Sequence, residues 1–329
     1  MKKKLFLCAA LLLLLCPAAG CGRTAEDAPL AAAATASDLY SPAPEADTAF
    51  APASVTDTEA LPAPEAQEAY LLTTETVYDA EGAFRSRKRY GYDENGVLIS
   101  EWIYDEADTV LWRNEYATDE NGLRVRYDSF DAEGTSTYAE LYTYDEQGRL
   151  LTEAYENAMG TFTEYTAYVY EGASPQPCRS EHWVGEQLDS YTLYEYDEAG
   201  RELGSAEYAD DDTLLFRTQK IYDENGLLLE TAEQNAAGVE ISRVLYDYDS
   251  RGSRVSESSF FNGTARGSTE YDYSDEGVLL WVRSLAADGT VESREQYIYD
   301  KAGNLTNLIC EDGDGSKLSE TVYSYEAAE

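Results

Sequence analysis

The sequence is poor in the side chains that most often build active sites and metal centres. Its 329 residues include one histidine and five cysteines, and 24 basic side chains stand against 64 acidic ones. Zinc sites and Cys/His catalytic centres need more of these groups. The formal net charge of −40 excludes general nucleic-acid binding, which requires a basic face. The chain has no P-loop, dinucleotide fingerprint, HExxH or GxSxG motif, so we expect a noncatalytic protein without a cofactor.

The N-terminus has the features of an export signal. Three lysines at positions 2–4 precede an apolar run at residues 5–16, which is too short to span a bilayer permanently. Small residues then lead to Cys21, as in the lipobox of bacterial lipoproteins, although Ala18 stands where leucine is usual. Ordinary cleavage that leaves Cys21 unmodified is the alternative. We predict a signal peptide at residues 1–20, lipid attachment at Cys21, and an outward-facing position at the bacterial cell envelope.

Residues 21–67 are rich in Ala, Pro, Thr, Asp and Glu and have few large apolar side chains. Such a segment cannot offset the entropy of ordering, so we predict a disordered acidic tether. A low-complexity stalk is the alternative, and it implies the same role. The remaining residues, 68–329, form the predicted folded domain.

A repeat of 26 residues, with one interval of 25, fills this domain. Its core is the motif Tyr-Asp-x-x-Gly, and a second tyrosine stands two residues before nearly every copy, with Lys220 as the exception. The motif begins at Tyr92, Thr118, Tyr144, Tyr170, Tyr196, Tyr222, Tyr248, Tyr273 and Tyr299. Such strict periodicity is typical of an array of identical structural units.

Each unit contains a second turn about half a period later, such as Asn262-Gly263 and Asp288-Gly289. Asn-Gly and Asp-Gly pairs favour hairpin turns, and the runs between the turns have the composition of strands. We therefore predict an all-β fold: a long antiparallel up-and-down sheet of about eighteen strands. Because open sheets beyond about ten strands normally curl, we expect a spiral, a trough or an open shell.

The paired tyrosines should lie on one face of the sheet, because side chains alternate along a strand. Repetition then predicts a ladder of rings, each near its equivalent in the next hairpin. The rings could bind a ligand or could serve only to stack the repeats. We take as candidate binding residues the tyrosines of three central units and one nearby tryptophan: Tyr142, Tyr144, Tyr168, Tyr170, Trp183, Tyr194 and Tyr196.

The segment from Gly134 to Leu150 resembles the YD repeat of Rhs-type and teneurin-type proteins, and the resemblance extends over roughly residues 78–325. In that family the repeats build a long β-sheet that spirals into a shell, which encloses a toxin in the large bacterial members. This chain has only nine or ten units. The resemblance therefore implies the sheet and its tyrosines, and toxin delivery does not carry over.

Two acidic stretches, Asp210–Asp212 and Glu311–Ser316, supply the oxygen ligands that calcium prefers. Both coincide with turns, where Asp and Gly are expected for conformational reasons. Specific calcium binding and diffuse attraction of cations both remain open, and we assign no metal ligand. Cys178 and Cys310 lie five units apart, which favours unpaired thiols.

These observations favour a membrane-tethered YD-repeat lipoprotein that binds a glycan, a cell-wall component or a protein. A passive structural or shell-like envelope protein without a specific ligand is the alternative. The unit at residues 170–195, which contains His182, departs most from the repeat and marks either a kink or the site. The oligomeric state does not follow from the sequence.

Overall fold

The computed structural model describes residues 70–327, and none of its elements is a helix long and apolar enough to cross a membrane. The predicted signal peptide, Cys21 and the tether lie outside these residues. The described chain forms strands β1 (Tyr70–Asp79), β2 (Phe84–Tyr92), β3 (Leu98–Tyr104), β4 (Val110–Thr118), β5 (Arg124–Asp131), β6 (Ser136–Tyr144), β7 (Leu150–Asn157), β8 (Phe162–Tyr170), β9 (Pro177–Val184), β10 (Gln187–Tyr196), β11 (Glu202–Ala209), β12 (Leu214–Tyr222), β13 (Leu228–Asn235), β14 (Glu240–Tyr248), β15 (Arg254–Phe261), β16 (Thr264–Tyr273), β17 (Leu279–Ala286), β18 (Val291–Tyr299), β19 (Leu305–Asp312) and β20 (Lys317–Ala327).

The all-β prediction is confirmed, but the predicted open sheet is wrong. All strands belong to one 20-stranded sheet in which each strand pairs antiparallel with the next along the chain. β1 also pairs with β20, from Tyr70 opposite Ala327 to Asp79 opposite Ser319. The sheet is therefore a closed barrel. Twist curls a long sheet until its two edges meet, and their pairing removes the exposed edges that an open form would keep.

The motif Tyr-Asp-x-x-Gly builds its turn through the aspartate side chain. In the copy at residues 93–97, the Gly96 amide donates to the Asp93 carbonyl at 3.1 Å, and Gly96 has a φ of 77°. The Asp93 carboxylate accepts from the amides of Asn95 and Val97 at 2.8 and 2.9 Å. A type I turn followed by a left-handed residue matches the strand twist, so Asp and Gly recur for conformational reasons.

The same turn chemistry appears at the half-period turns, which lie at the other end of the barrel. Asn157 replaces the aspartate there in one unit and accepts from the amides of Met159 and Thr161. We call the end formed by the Tyr-Asp-x-x-Gly turns the repeat-turn rim. Both β1 and β20 have their free ends at this rim, beside the turn that joins β2 to β3.

The barrel is hollow. Within residues 70–327 each strand contacts only its two neighbours, and no large side chain is fully buried. Twenty strands about 4.8 Å apart give a circumference of roughly 96 Å and a diameter of at least about 30 Å. Side chains extending from the wall are too short to fill such a ring, which explains why the buried apolar residues are few: Ile103, Tyr116, Ala139 and Ala232.

Candidate binding site

The strand registers divide the wall into two chemically different faces. Tyr142 lies opposite Glu153, and Glu140 lies opposite Tyr155, so the paired tyrosines of the repeat and these glutamates share one face, the tyrosine face. Its mid-strand acids are Glu75, Glu101, Glu140, Glu153, Glu164, Glu207, Glu233, Glu257 and Glu295, and its basic side chains include Lys88 and Lys220. The mid-strand arginines are on the other side, the arginine face: Arg87, Arg89, Arg113, Arg126, Arg179, Arg217, Arg243, Arg283 and Arg294.

The tyrosine face is the more crowded of the two. Its side chains Glu101, Ile103, Asn114 and Tyr116 are all less than 9% exposed, whereas only small residues such as Ala139 are so buried on the arginine face. Burial also raises the pKa of the phenols on the tyrosine face, including Tyr90, Tyr127, Tyr142, Tyr155, Tyr168, Tyr297 and Tyr323. Closing a wall crowds its inner surface and spreads its outer one, so the tyrosine face lines the barrel interior.

The second tyrosine of the repeat has a fixed partner. Its hydroxyl donates to a backbone carbonyl at the start of the preceding strand, as Tyr144 does to Arg124 at 2.8 Å and Tyr170 to Leu150 at 2.8 Å. The same bond recurs at Tyr92, Tyr196, Tyr222, Tyr248, Tyr273 and Tyr325. These bonds join the two strands of a hairpin at the repeat-turn rim, which gives the tyrosine a structural role in these units.

The predicted ladder of equivalent rings is wrong. Equivalent tyrosines lie two strands apart, about 10 Å, because another strand separates them. The aromatic contacts of the tyrosine face are local instead: Tyr127 lies 5.4 Å from Tyr116 and 5.5 Å from Tyr138, measured between ring centroids. The odd-numbered strands therefore decide what each tyrosine contacts.

Six of the seven predicted binding residues lie on the tyrosine face. Those on β6, β8 and β10 form three pairs separated by β7 and β9: Tyr142 with Tyr144, Tyr168 with Tyr170, and Tyr194 with Tyr196. Trp183 lies on the arginine face, where it stacks on Tyr165 with 5.8 Å between centroids. The structure does not bring Trp183 together with the six tyrosines, because it lies three positions after Ser180 of the tyrosine face, and an odd step along a strand leads to the opposite face.

Carboxylates bind the tyrosines of β6 to β8. Tyr142 donates to Glu140, and the hydroxyls of Tyr155 and Tyr168 favour the charged form of the nearby Glu153 carboxylate. Burial, together with the nearby charge of Glu140, raises the pKa of Glu153. Burial raises the pKa of Tyr168 and of Tyr196 to about 12. These phenols therefore remain protonated donors over the physiological range.

A cleft opens at the repeat-turn rim between two successive turns. Its volume is about 490 Å³, and its walls include the side chains of Leu123, Val125, Tyr142 and Tyr144. Polar groups of the turns at residues 119–121 and 145–148 complete the lining. Tyr142 and Tyr144 were predicted as binding residues, whereas Leu123 and Val125 were missed. A leucine after a turn glycine looks like an ordinary strand residue, so the sequence gives no signal for it.

The acidic turns have conformational explanations. Asp212 occupies the left-handed position that glycine takes in most units, with a φ of 64°. Asp312 accepts from the amides of Asp314 and Ser316 at 3.0 and 2.8 Å, as the aspartates of the other turns do. Among residues 70–327, no group of three or more His, Cys, Asp and Glu side chains is placed to hold a metal ion.

The irregular unit at residues 170–195 keeps its place in the sheet. β9 pairs with both β8 and β10, so the ladder continues through this unit. His182 lies on the tyrosine face, 3.8 Å from Glu164. Cys178 donates to the Val169 carbonyl at 3.3 Å, and Cys310 on β19 lies ten strands away around the ring. Halfway around a hollow barrel is too far for a disulfide between these two.

Comparisons with known proteins give a family model and a set of solved structures. A family model described as an uncharacterised protein matches residues 131–284, less than half of the chain, and no curated protein matches. A porin-like protein from Bacteroides uniformis is similar in structure, with a TM-score of 0.37, 9% identity, and coverage of 65% of this chain and 96% of that one. A porin-like protein from Bacteroides vulgatus has a TM-score of 0.32, 13% identity, and coverage of 78% and 99%.

The Tc holotoxin pore of Photorhabdus luminescens is also similar. Its TM-score is 0.22 at 13% identity, and the match covers 74% of this chain. The chain spans 19% of the length of that protein.

Proposed function

We propose that this chain is an exported, noncatalytic lipoprotein, anchored at the bacterial cell surface through Cys21. Its YD-repeat barrel binds a glycan, a cell-wall component or a protein of the envelope. The export features at residues 1–20 and the small residues before Cys21 support the anchor. The acidic segment at residues 21–67 acts as the tether between anchor and barrel.

The tyrosine face carries the proposal of binding. It presents aromatic rings whose hydroxyls already have partners, as Tyr142 has in Glu140 and Tyr144 in the Arg124 carbonyl. Rings held in this way lose little side-chain entropy when a ligand packs on them, which favours recognition. The rings also offer large amphipathic contact areas, which are enriched at binding surfaces.

A pull-down with the full mature chain tests the proposal, using Cys21→Ser to keep the protein unlipidated. The baits are peptidoglycan, envelope polysaccharides and membrane-protein extracts. Specific capture should fall when Tyr142, Tyr168 and Tyr194 are replaced together by alanine. Tyr165→Ala with Tyr191→Ala, on the arginine face, is the matched control and should retain binding. Equal loss in both variants would contradict a site on the tyrosine face.

A passive shell-like envelope protein is the second candidate, and the closed hollow wall favours it. In that role the tyrosines only stabilise the sheet, as their repeated hydroxyl-to-carbonyl bonds do. The same pull-down separates the two: a cooperatively folded barrel that captures none of the baits supports the shell.

A further inference from the structure

We propose that the cleft at the repeat-turn rim binds a neutral oligosaccharide, a proposal that rests on the binding function proposed above. The cleft lies between the turns at residues 119–122 and 145–148 and has a volume of about 490 Å³. Small-molecule sites usually have about 300–1,000 Å³, so a few sugar rings are of the right size.

The aromatic wall of the cleft is a prepared stacking surface. The Tyr144 hydroxyl donates to the Arg124 carbonyl at 2.8 Å, and the Tyr142 hydroxyl donates to Glu140. Because both hydroxyls have partners in the wall, the rings offer the cleft their carbon surfaces. The apolar face of a pyranose packs on such a ring, and Leu123 and Val125 extend the apolar surface beside it.

The strands beside the cleft are well packed. The Arg124 guanidinium lies 4.4 Å from the centroid of Tyr116, which is only 7% exposed. Tyr116 in turn donates to Glu101 at 2.9 Å, and the neighbouring ring of Tyr127 packs 5.4 Å away. A site on well-packed strands keeps its geometry without a ligand, which lowers the entropic cost of binding.

The polar lining suits hydroxyl groups better than ions. The carboxylate of Asp119 already accepts from the Asn121 and Leu123 amides at 2.9 Å each, and that of Asp145 accepts from the Gln147 and Arg149 amides. The side chains of Asn121, Glu146 and Gln147 add amide and carboxylate groups at the cleft. Such groups donate to and accept from sugar hydroxyls, whereas the net charge of −40 repels an anionic polysaccharide.

The residue after the turn glycine decides whether a guanidinium covers the tyrosine of the following unit. It is Leu123 at the cleft and Leu227 in a later unit, but it is Arg149 and Arg201 in two others. The Arg149 guanidinium covers the ring of Tyr170 at 4.5 Å, and that of Arg201 covers Tyr222 at 5.1 Å. Arg149 also donates to the carbonyls of Gly172 and Ser174 at 3.0 and 2.8 Å. Leu123 is too short to do either, and it leaves Tyr144 uncovered.

The repeats supply the test. We would titrate the full mature Cys21→Ser chain with cellotetraose, maltotetraose and tetra-N-acetylchitotetraose by calorimetry, with polygalacturonate and spermidine as charged probes. Leu123→Arg should cover Tyr144 as its counterparts do and weaken binding about ten-fold or more, and Tyr144→Ala should do the same. Tyr222→Ala, at the covered position, should leave the affinity within about two-fold. Urea unfolding must show that Leu123→Arg is as stable as the parent.

Three results would overturn the proposed sugar site. The first is that no neutral oligosaccharide binds, and the second is that Leu123→Arg leaves the affinity for the oligosaccharide unchanged. The third is that spermidine or polygalacturonate binds more tightly than the neutral oligosaccharides and is itself weakened by Leu123→Arg. The pull-down tests the broader function separately. If Leu123→Arg still captures envelope material and the triple tyrosine variant does not, the proposed function is supported and the cleft is not its binding site. In the supporting direction, Arg201→Leu should uncover Tyr222 and add a second site.

Discussion

The hydroxyl of Tyr116 donates a 2.9 Å hydrogen bond to Oε2 of Glu101, a carboxylate that is only 4% exposed. The same oxygen accepts from the Asn114 amide at 3.0 Å, and Lys88 lies 4.0 Å from the other oxygen. These residues belong to β2, β3 and β4 on the tyrosine face. They form a well-packed polar cluster of the described barrel.

Glu101→Ala should destabilise the barrel by about 3 kcal/mol, because it leaves the Tyr116 hydroxyl, the Asn114 amide and the Lys88 ammonium without their buried partner. Glu101→Gln keeps a hydrogen-bond acceptor, so it should lower the free energy of unfolding by less than Glu101→Ala does. Urea unfolding followed by circular dichroism gives both values. Glu257→Ala, at the equivalent position of a less buried unit, is the control. If Glu101→Ala and Glu257→Ala lower the free energy of unfolding equally, burial of the Glu101 cluster does not contribute to stability.

Tyr248→Phe should cost about 1 kcal/mol of unfolding free energy, because the Leu228 carbonyl loses the donor that lies 2.8 Å away. The matched change Tyr165→Phe should be nearly neutral, since Tyr165 stacks on Trp183 through its ring. Denaturant midpoints measure the difference. If Tyr248→Phe and Tyr165→Phe have the same denaturant midpoint, the hydroxyl-to-carbonyl bond does not stabilise the repeat.

Alkaline unfolding should begin near pH 10 and be complete near pH 12. Burial raises the pKa of Tyr168, Tyr196 and Tyr271 to about 12 in the folded barrel, whereas an unfolded tyrosine titrates near about 10. Their contribution to stability is therefore full below pH 10 and is lost as the pH rises through 12. Tyrosinate absorbance and circular dichroism should change together. Tyr271→Phe should make the loss of stability with pH shallower, and an unchanged slope would contradict the assignment.

Acid should first stabilise and then destabilise the barrel. Burial raises the pKa of Glu153 and Glu233 above the unfolded value, so their protonation as the pH falls below neutral relieves a folded-state penalty. Amide hydrogen bonds lower the pKa of Asp197, Asp223 and Asp249. Their contribution is present above the unfolded value of about 3.9 and is lost as the pH falls below it.

Asparagine supplies the control for the acid limb, since Asn157 and Asn235 already form the same turn. Replacing Asp197, Asp223 and Asp249 together by asparagine should preserve stability at neutral pH and flatten the loss below about pH 4. Thermal unfolding across the pH range measures both. A variant that loses stability as steeply as the parent would assign acid unfolding to other groups.

A disulfide across the seam should form within one chain. Thr76 lies opposite Val322 on β1 and β20, and opposed residues of antiparallel strands have Cα atoms about 4.5–5.5 Å apart, which a disulfide can bridge. We expect Thr76→Cys with Val322→Cys to cross-link in a monomer that has Cys178→Ser and Cys310→Ser. Thr76→Cys with Ala232→Cys is the unpaired control. Mass spectrometry distinguishes these species, and cross-linked dimers alone would indicate an open sheet.

The repeat predicts the hairpins, the positions of the turns and the common face of each tyrosine pair, because all of these follow from local rules of alternation and turn chemistry. Closure does not follow from such rules. It depends on the sum of twist over twenty strands and on the pairing of β1 with β20, which lie at opposite ends of the described chain.

The site was predictable only in part. Tyr142 and Tyr144 follow from the periodicity, but the cleft depends on a contact between successive turns. Leu123 matters because Arg149 and Arg201 fill the equivalent space, and only the structure shows that their guanidinium groups lie over tyrosines. Trp183 is predicted with the tyrosines because it lies near them in the irregular unit, and the strand alternation puts it on the other face.

Because Tyr70 pairs with Ala327, the first and last strands of the barrel are joined like any other two neighbouring strands. The two ends of the described chain meet at the repeat-turn rim, in a ladder like every other one around the barrel. A short linker joining them would make the polypeptide circular without disturbing a strand, and cutting any other turn would then create new termini. The barrel is thus a candidate for circular permutation by single repeats, with the chain ends moved around the rim in steps of 26 residues.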